Sequence, residues 1–435
     1  MLNRKKGIII AAAMAAMVFT GGCSRSVLNY QIAECIGTLN QYENNEPVET
    51  PKMKAEREQK EAEEELEQKK QEALNTAAQI VENYRYEEAI AYLQNSEVLR
   101  EDPRLDEAVA LYQEGIQNLY EYEGDIPHFC FTNLIVDPSR ALDWDEYDSV
   151  YRDNMITLTE FEKILQTLYD SGYILIDLHD LAEETENGRT VVMRQTNPKI
   201  PKGKKPMILS IDNLSYGSVR NGDGVATALA IDQNGRVGAK YTDAEGHDRI
   251  GAYDVVPVLD AFIEEHPDFS YRGARGIISV AGEDGVFGYD LENSNEEVRK
   301  KNQQTVQEIA QVLREEGWTF ASTGYSYQYL GSMTYDQLSE DLIKWQDVTG
   351  KWIGACDTLL YPYGVEVDYS SEKGVLLPNK GFRYLIGLWA DGDHVEVQES
   401  YLRQTRRTIT GLLLTTSPNS VSTYINASEI LDPAR

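Results

Sequence analysis

Apolar and polar positions change rhythm twice along this chain, and each change marks a boundary. Residues 8–19 form one apolar run, Ile8 to Phe19, preceded by Arg4, Lys5 and Lys6 and followed by Thr20-Gly21-Gly22-Cys23. The run is too short to span a membrane and fits the apolar core of a secretory leader. Polar, Asn- and Glu-rich text follows to Pro51 and reads as a linker, with a short helix expected near Asn29–Leu39. From Lys52 to about Ala78 the residues are charged, strong helix formers without Gly or Pro. No sustained apolar seam runs through them, which predicts an exposed helix rather than a coiled coil. Helical periodicity then appears in Thr76–Leu93 and Leu105–Leu119, separated by Asp102-Pro103.

The second change comes at Gly124-Asp125-Ile126-Pro127, after which short apolar runs alternate with amphipathic stretches. Strands are expected at His128–Val136, Tyr173–Leu178, Met207–Ile211, Gly276–Ala281, Trp318–Ser322, Thr358–Tyr361 and Tyr384–Leu388, with Gly411–Thr415 as a last member. Helices are expected at Leu158–Tyr169, capped by Thr157 or Thr159, at Val255–Glu265, at about Ser294–Glu316 with a capping box from Ser294 and Glu297, and at Tyr335–Val348. Turn signals in Gln233-Asn234-Gly235 and Ala244-Glu245-Gly246 predict a surface hairpin over Ala226–Ile250. Such alternation implies an α/β fold built on a parallel sheet or barrel. The predicted organisation is therefore a leader over 1–22, a linker over 23–51, a helical region over 52–123 and an α/β domain over 126–435. In the helical region, Tyr84-Arg85-Tyr86-Glu87-Glu88-Ala89-Ile90-Ala91-Tyr92-Leu93 resembles half of a tetratricopeptide repeat. Solenoids need about three repeats to bury a core, so a small helical hairpin is expected instead.

Composition narrows the function classes. A formal charge of −31 argues against nucleic acid as a partner, and against anionic polymers or lipid headgroups in general. Four cysteines without C-x-x-C spacing exclude a disulfide scaffold and a cysteine zinc site, and leave room for one bridge. Small residues directly before Cys23 look like a bacterial lipobox. That likeness implies a lipidated Cys23 and export to the outer face of the cell membrane. The 27 Tyr against 9 Phe suit either a sugar cleft or a wet surface.

The candidate chemistry lies where Met207-Ile208-Leu209-Ser210-Ile211 stops abruptly at Asp212-Asn213. Polar residues at the C-terminal ends of barrel strands are where such folds keep their sites. This stretch resembles the first motif of the polysaccharide deacetylases (NodB homology, carbohydrate esterase family 4), in which a strand ends in T-F-D-D-G. The resemblance implies an irregular (β/α) barrel, a divalent metal, usually zinc, and a catalytic base at Asp212. It places the metal-binding Asp at Asn213. The family's H-x-x-x-H motif falls on Thr323 and Tyr327, within Gly317-Trp318-Thr319-Phe320-Ala321-Ser322-Thr323-Gly324-Tyr325-Ser326-Tyr327. The family's R-x-P-Y-G falls on Leu360-Tyr361-Pro362-Tyr363-Gly364. Tyr363 then supplies the oxyanion's backbone N–H, while Leu360 stands where an Arg orients the base. Leu388-Trp389-Ala390-Asp391 and Leu414-Thr415-Thr416 take the places of the two closing motifs.

Zinc needs imidazole, thiolate or carboxylate ligands, and none of the three metal positions offers one. The five histidines, 128, 179, 247, 266 and 394, form no H-x-x-x-H pair, which leaves His128 and His179 as material for a substitute site. The expected protein is thus deacetylase-like and metal-free, binding cell-wall or other glycan, or a protein, without hydrolysis. Two other readings stand beside it: an active deacetylase of N-acetylated polysaccharide with an unorthodox site, and an interaction scaffold acting through the helical region. By itself, Asp-Asn at a strand end more often caps a turn, and Pro-Tyr-Gly is simply a tight turn.

Overall fold

The computed structural model describes residues 50–187 and 190–435, so the expected leader and linker, with Cys23 and Cys35, lie outside the described residues. Helix α1, Pro51–Glu82, contains the division of the chain into two units, which falls after Gln71. The described part of the first unit is exposed nearly throughout. Its i,i+4 pairs include Lys52–Glu56, Lys54–Glu58, Arg57–Glu61 and Lys60–Glu64, with the base before the acid, the weaker orientation on a helix, and Glu65–Lys69 in the stronger one. All are exposed and each contributes only a few tenths of a kcal/mol, so intrinsic propensity carries most of this segment.

The second unit, Glu72–Arg435, begins with the end of α1 and continues with α2 (Tyr86–Gln94) and α3 (Pro103–Gln117). Asp102 caps α3 by accepting from the Arg104 amide, and Pro103 takes the first turn, where its missing N–H costs nothing. Ala77, Ala89, Leu93, Leu99 and Tyr112 close a small core between these helices. The single helix expected over Thr76–Leu93 is broken at Tyr84, whose φ is +65°. Tyr84 leaves helical geometry to lay its ring 5.8 Å from Tyr271 and donate to the Asp268 carbonyl at 3.2 Å. A tertiary contact thus overrides local helix propensity.

The main sheet holds β1 (His128–Phe131), β2 (Tyr173–Leu175), β3 (Lys205–Ile211), β4 (Ile277–Val280), β5 (Thr319–Ser322), β6 (Thr358–Leu360), β7 (Tyr384–Gly387), β8 (Val395–Val397), β9 (Leu402–Thr405) and β10 (Arg407–Thr408). Its order is β8-β9-β7-β6-β5-β4-β3-β1-β10, with β2 paired to the first half of β3. All pairings are parallel except β8 with β9. β9 and β10 are separated only by Arg406, yet they pair at opposite ends of this order, β9 with β7 and β10 with β1. One strand broken at one residue therefore closes the sheet on itself, giving the irregular barrel. Helices α4 (Leu158–Asp170), α5 (Val255–Glu265), α6 (Glu296–Glu315) and α7 (Tyr335–Trp345) complete the α/β architecture. In α4, Phe161, Ile164, Leu165 and Leu168 are buried at helical spacing, and Thr157 with Glu160 forms its capping box.

Inside the closure sits a buried polar trio. His128 contacts Ser210 Oγ at 2.8 Å and Gln404 Oε1 at 3.0 Å, and Gln404 Nε2 donates to the Ile126 carbonyl. Burial pushes the His128 pKa down to about 3, so the ring is neutral. Gln404 Oε1 can only accept, so Nδ1 carries the proton and the Ser210 hydroxyl donates to Nε2.

Several elements differ from expectation. Ala226–Ile250 is not a surface hairpin but part of a three-stranded antiparallel sheet, Ala226–Ile231, Val237–Thr242 and Asp248–Gly251, whose first two strands are largely buried. The turn signals were genuine, but packing against α5 and α6 covers the strands between them. Gly411–Thr416 is a helix, α8, capped by Thr410 accepting from the Leu413 amide. Asn295, not Ser294, caps α6 by accepting from the Glu297 and Val298 amides. The strand expected over Tyr173–Leu178 ends at Leu175 and gives way to a tight turn over Leu178–Leu181. A hairpin of Ala182–Asn187 with Thr190–Gln195 was not anticipated. Cys130 and Cys356 are free thiols, so they do not form the bridge left open above. Among the described residues, no helix is long and apolar enough to cross a membrane.

Candidate functional site

The register of the sheet sets the ends of β3, β5, β6, β7 and β9 side by side, and the residues just beyond them meet. Asp212 follows β3, its amide donating to the Phe131 carbonyl at 2.8 Å. Arg406 follows β9, its amide donating to the Gly387 carbonyl at 3.0 Å. The break in the closing strand aims its guanidinium at Asp212: Nη1 lies 2.7 Å from Oδ2, with only 1% and 8% of the two side chains exposed. Arg406 Nη2 donates to the Tyr361 carbonyl at 2.9 Å, and Nη1 also lies 2.9 Å from Cys130 Sγ. Burial opposes the charge on Arg406, but the Asp212 carboxylate outweighs it and raises the pKa still further. Burial keeps the neighbouring Cys130 thiol protonated by raising its pKa.

The other oxygen of Asp212 is taken by Tyr327, whose hydroxyl donates to Oδ1 at 3.1 Å. Burial, and then the nearby Asp212 charge, push the Tyr327 phenol well above its ordinary range. Both carboxylate oxygens are thus engaged, one by a cation and one by a neutral donor.

Asn213 has a φ of +49°, a region Asn tolerates better than most residues. Its Oδ1 accepts from the Ala281 amide at 3.0 Å, and its own amide donates to Ser279 Oγ at 2.9 Å. Thr323 is fully buried, and among the described residues its hydroxyl has no hydrogen-bond partner. Tyr361-Pro362-Tyr363-Gly364 makes a tight turn, with Gly364 N–H donating to the Tyr361 carbonyl. A Cβ on Gly364, at φ +71°, would lie 2.3 Å from Leu388 Cγ, so only glycine fits. Tyr363, at φ +56°, is half exposed and stacks on Tyr329 at 4.5 Å, with Tyr327 5.3 Å away. Strained φ at Asn213, Tyr327 and Tyr363 gathers on this rim, as it does at ligand sites.

The remaining sequence-derived positions fall elsewhere. Leu360 points inward and packs in the interior cluster with Cys130, Ile208 and Ile386. Leu360 leaves no arginine for Asp212 on its own strand, but Arg406 reaches Asp212 from a different one. Its signal was the alternation Leu402, Gln404, Arg406, Thr408, which puts polar residues on the inner face of a strand. Leu414-Thr415-Thr416 belongs to α8 and is no strand-end motif.

The donor set does not fit the metal the resemblance implies. Asn213 Oδ1 already holds a backbone N–H, Thr323 offers a neutral hydroxyl, and Tyr327 a protonated phenol committed to Asp212. His128 has both ring nitrogens occupied in the barrel interior. His179 lies toward the other ends of the strands, in the turn after β2. Its Nδ1 is 2.6 Å from Asp177, and its Nε2 is 3.1 Å from Asp357, the residue before β6. Burial alone would lower its pKa, but the two carboxylates raise it to about 10. As an imidazolium it has no lone pair for a metal. Among the described residues, no group of three or more His, Cys, Asp or Glu is arranged to hold a metal ion.

No protein-family model matches the chain, and no curated protein sequence does. Among solved structures it is similar to the Streptococcus pyogenes deacetylase PplD in complex with acetate, at 12% identity and a TM-score of 0.38, over 69% of this chain and 98% of that one. It is likewise similar to BC0361, a polysaccharide deacetylase from Bacillus cereus, at 14% identity and a TM-score of 0.39, over 69% of each chain.

Proposed function

We propose that the chain is an exported polysaccharide deacetylase-like protein, tethered through Cys23, that binds glycan at the Asp212 rim without hydrolysing it. The observation that carries this reading is the closed state of Asp212, with Arg406 on one oxygen and Tyr327 on the other. A base held this way has one oxygen against a buried guanidinium and the other on a phenol, and among the described residues no ligand set beside it holds a metal to acidify a water. Binding is supported by the half-exposed Tyr329–Tyr363 stack, whose apolar faces and hydroxyl edges suit sugar rings. Tethering is supported by the basic start, short apolar run and Thr20-Gly21-Gly22-Cys23.

The test is metal analysis of the purified protein, acetate release from N-acetylated oligosaccharides, and calorimetric binding of the same oligosaccharides. The expected results are no stoichiometric metal, no acetate, and binding that is lost in Tyr329→Ala/Tyr363→Ala. Stoichiometric metal with acetate release overturns the reading. Asn213→Asp, Thr323→His and Tyr327→His together are expected to bind zinc. Because Arg406 already orients Asp212, acetate release by that variant is expected as well.

A further inference from the structure

A second concave site lies at the opposite ends of the strands, unconnected with the Asp212 rim. A cavity of about 830 Å³ opens at the beginnings of β5, β6 and β7, lined by Thr319 and Phe320 of β5 and by Cys356 and Asp357 just before β6. Its rim carries four fixed cations, Arg314 from the last turn of α6, Lys351 from the short helix Lys351–Ile353, and Lys380 and Arg383 from the approach to β7. One carboxylate lines it, Asp357, and that one already faces His179 with both oxygens at 3.1 Å. The composition of this wall inverts that of the chain, which has 72 acidic against 41 basic residues.

The cations are incompletely matched. Arg314 donates to the Ile353 carbonyl and, among the described residues, forms no ion pair. Arg383 has one distant carboxylate, Glu184 at 3.9 Å. Lys351 lies over the Trp352 ring at 5.3 Å, and among the described residues neither Lys351 nor Lys380 forms an ion pair. The chain's overall negative charge does not decide what enters, because fields from distant surface charges are screened within roughly 8 Å at physiological ionic strength. Local sign governs instead, and a concave wall concentrates it. The volume lies within the range of about 300–1,000 Å³ typical of small-ligand pockets. A lone monovalent anion would match the charge of only one of the four cations that line it.

We propose that this cavity binds a small oligoanion, a ligand with two or more closely spaced phosphate or carboxylate groups. Arg314, Lys351, Lys380 and Arg383 share the lining of one cavity and so offer separate oxyanions a cation each, beside the His179–Asp357 pair. The test is calorimetric titration of the full chain with tripolyphosphate and, separately, citrate, at low and at high salt. Tripolyphosphate is expected to bind one-to-one, and Lys351→Gln/Lys380→Gln to weaken it about tenfold or more. Lys351→Arg/Lys380→Arg is expected to retain binding. Lys240→Gln/Lys301→Gln, which removes the same charge elsewhere, is expected to leave it unchanged. Stronger binding of citrate than of tripolyphosphate would identify the ligand as a polycarboxylate within the same proposal. Absence of binding by either anion overturns it, as does equal weakening in the two Lys→Gln pairs. Should the double variant fail to fold, the exposed single variant Lys351→Gln supports the same comparison.

Discussion

Each end of this barrel holds a carboxylate against a cation, and the two ends differ in how much water they admit. At the C-terminal ends of the strands, Asp212 and Arg406 are sealed, with 8% and 1% of their side chains exposed. At the other ends, Asp177, His179 and Asp357 form a chain of charges that is roughly one-third exposed at each member. Similar distances therefore carry different energies. A sealed pair depends on its partner because the survivor would be an uncompensated buried charge, whereas solvent screens the open cluster and compensates for a lost member. The sealed end is a site turned inward, with its groups spent on one another. The open end keeps cations facing a cavity.

The largest effect should come from breaking the sealed pair. Arg406→Met is expected to cost about 3–5 kcal/mol in denaturant unfolding, since Asp212 is left charged and buried. Asp212→Asn combined with Arg406→Met should recover most of that loss. A single-variant cost below about 1 kcal/mol would mean that the two ends do not differ as argued. Tyr327→Phe sharpens the same point at smaller scale. It removes a neutral donor from an oxygen of a carboxylate that keeps its arginine, and an unfolding cost of about 1 kcal/mol is expected. No measurable change would place the hydroxyl outside the network.

The smallest effect belongs to the open cluster, and it should depend on pH. The His179 pKa is raised from 6.5 to about 10 in the folded protein. The sign follows from linkage: the imidazolium's contribution is whole below about pH 6.5 and disappears as pH rises through about 10. Asp177 and Asp357 are held below their ordinary carboxylate value by His179 despite burial, so their share is lost in acid. His179→Gln is expected to cost at most about 1 kcal/mol near pH 6, because the cluster is partly exposed, and nothing above pH 10. Unfolding curves of wild type and variant at both pH values check this, and a cost independent of pH would remove the charge from the account.

Sequence alone determined the elements whose signals are local. The helix at Val255–Glu265 was legible from end to end, and the strands beginning near Thr319, Thr358 and Tyr384 were misplaced by a residue at most, because short apolar runs between turn signals have few other solutions. Asp212, Tyr327 and Tyr363, singled out in the sequence, meet in the structure, with the Tyr327 hydroxyl on Asp212 and its ring 5.3 Å from that of Tyr363. What local pattern could not contain was pairing between distant segments. That Arg406 would reach Asp212, 194 residues away, follows from one strand pairing at both ends of the sheet. Burial of the strands in Ala226–Ile250 likewise follows from what packs over them, not from their own turns. The cationic cavity assembles from residues as far apart as His179 and Arg383 in an acidic chain, and no composition average reveals it. Periodicity records which face of an element is apolar, whereas only the closed barrel decides which polar residues share one small volume at low dielectric.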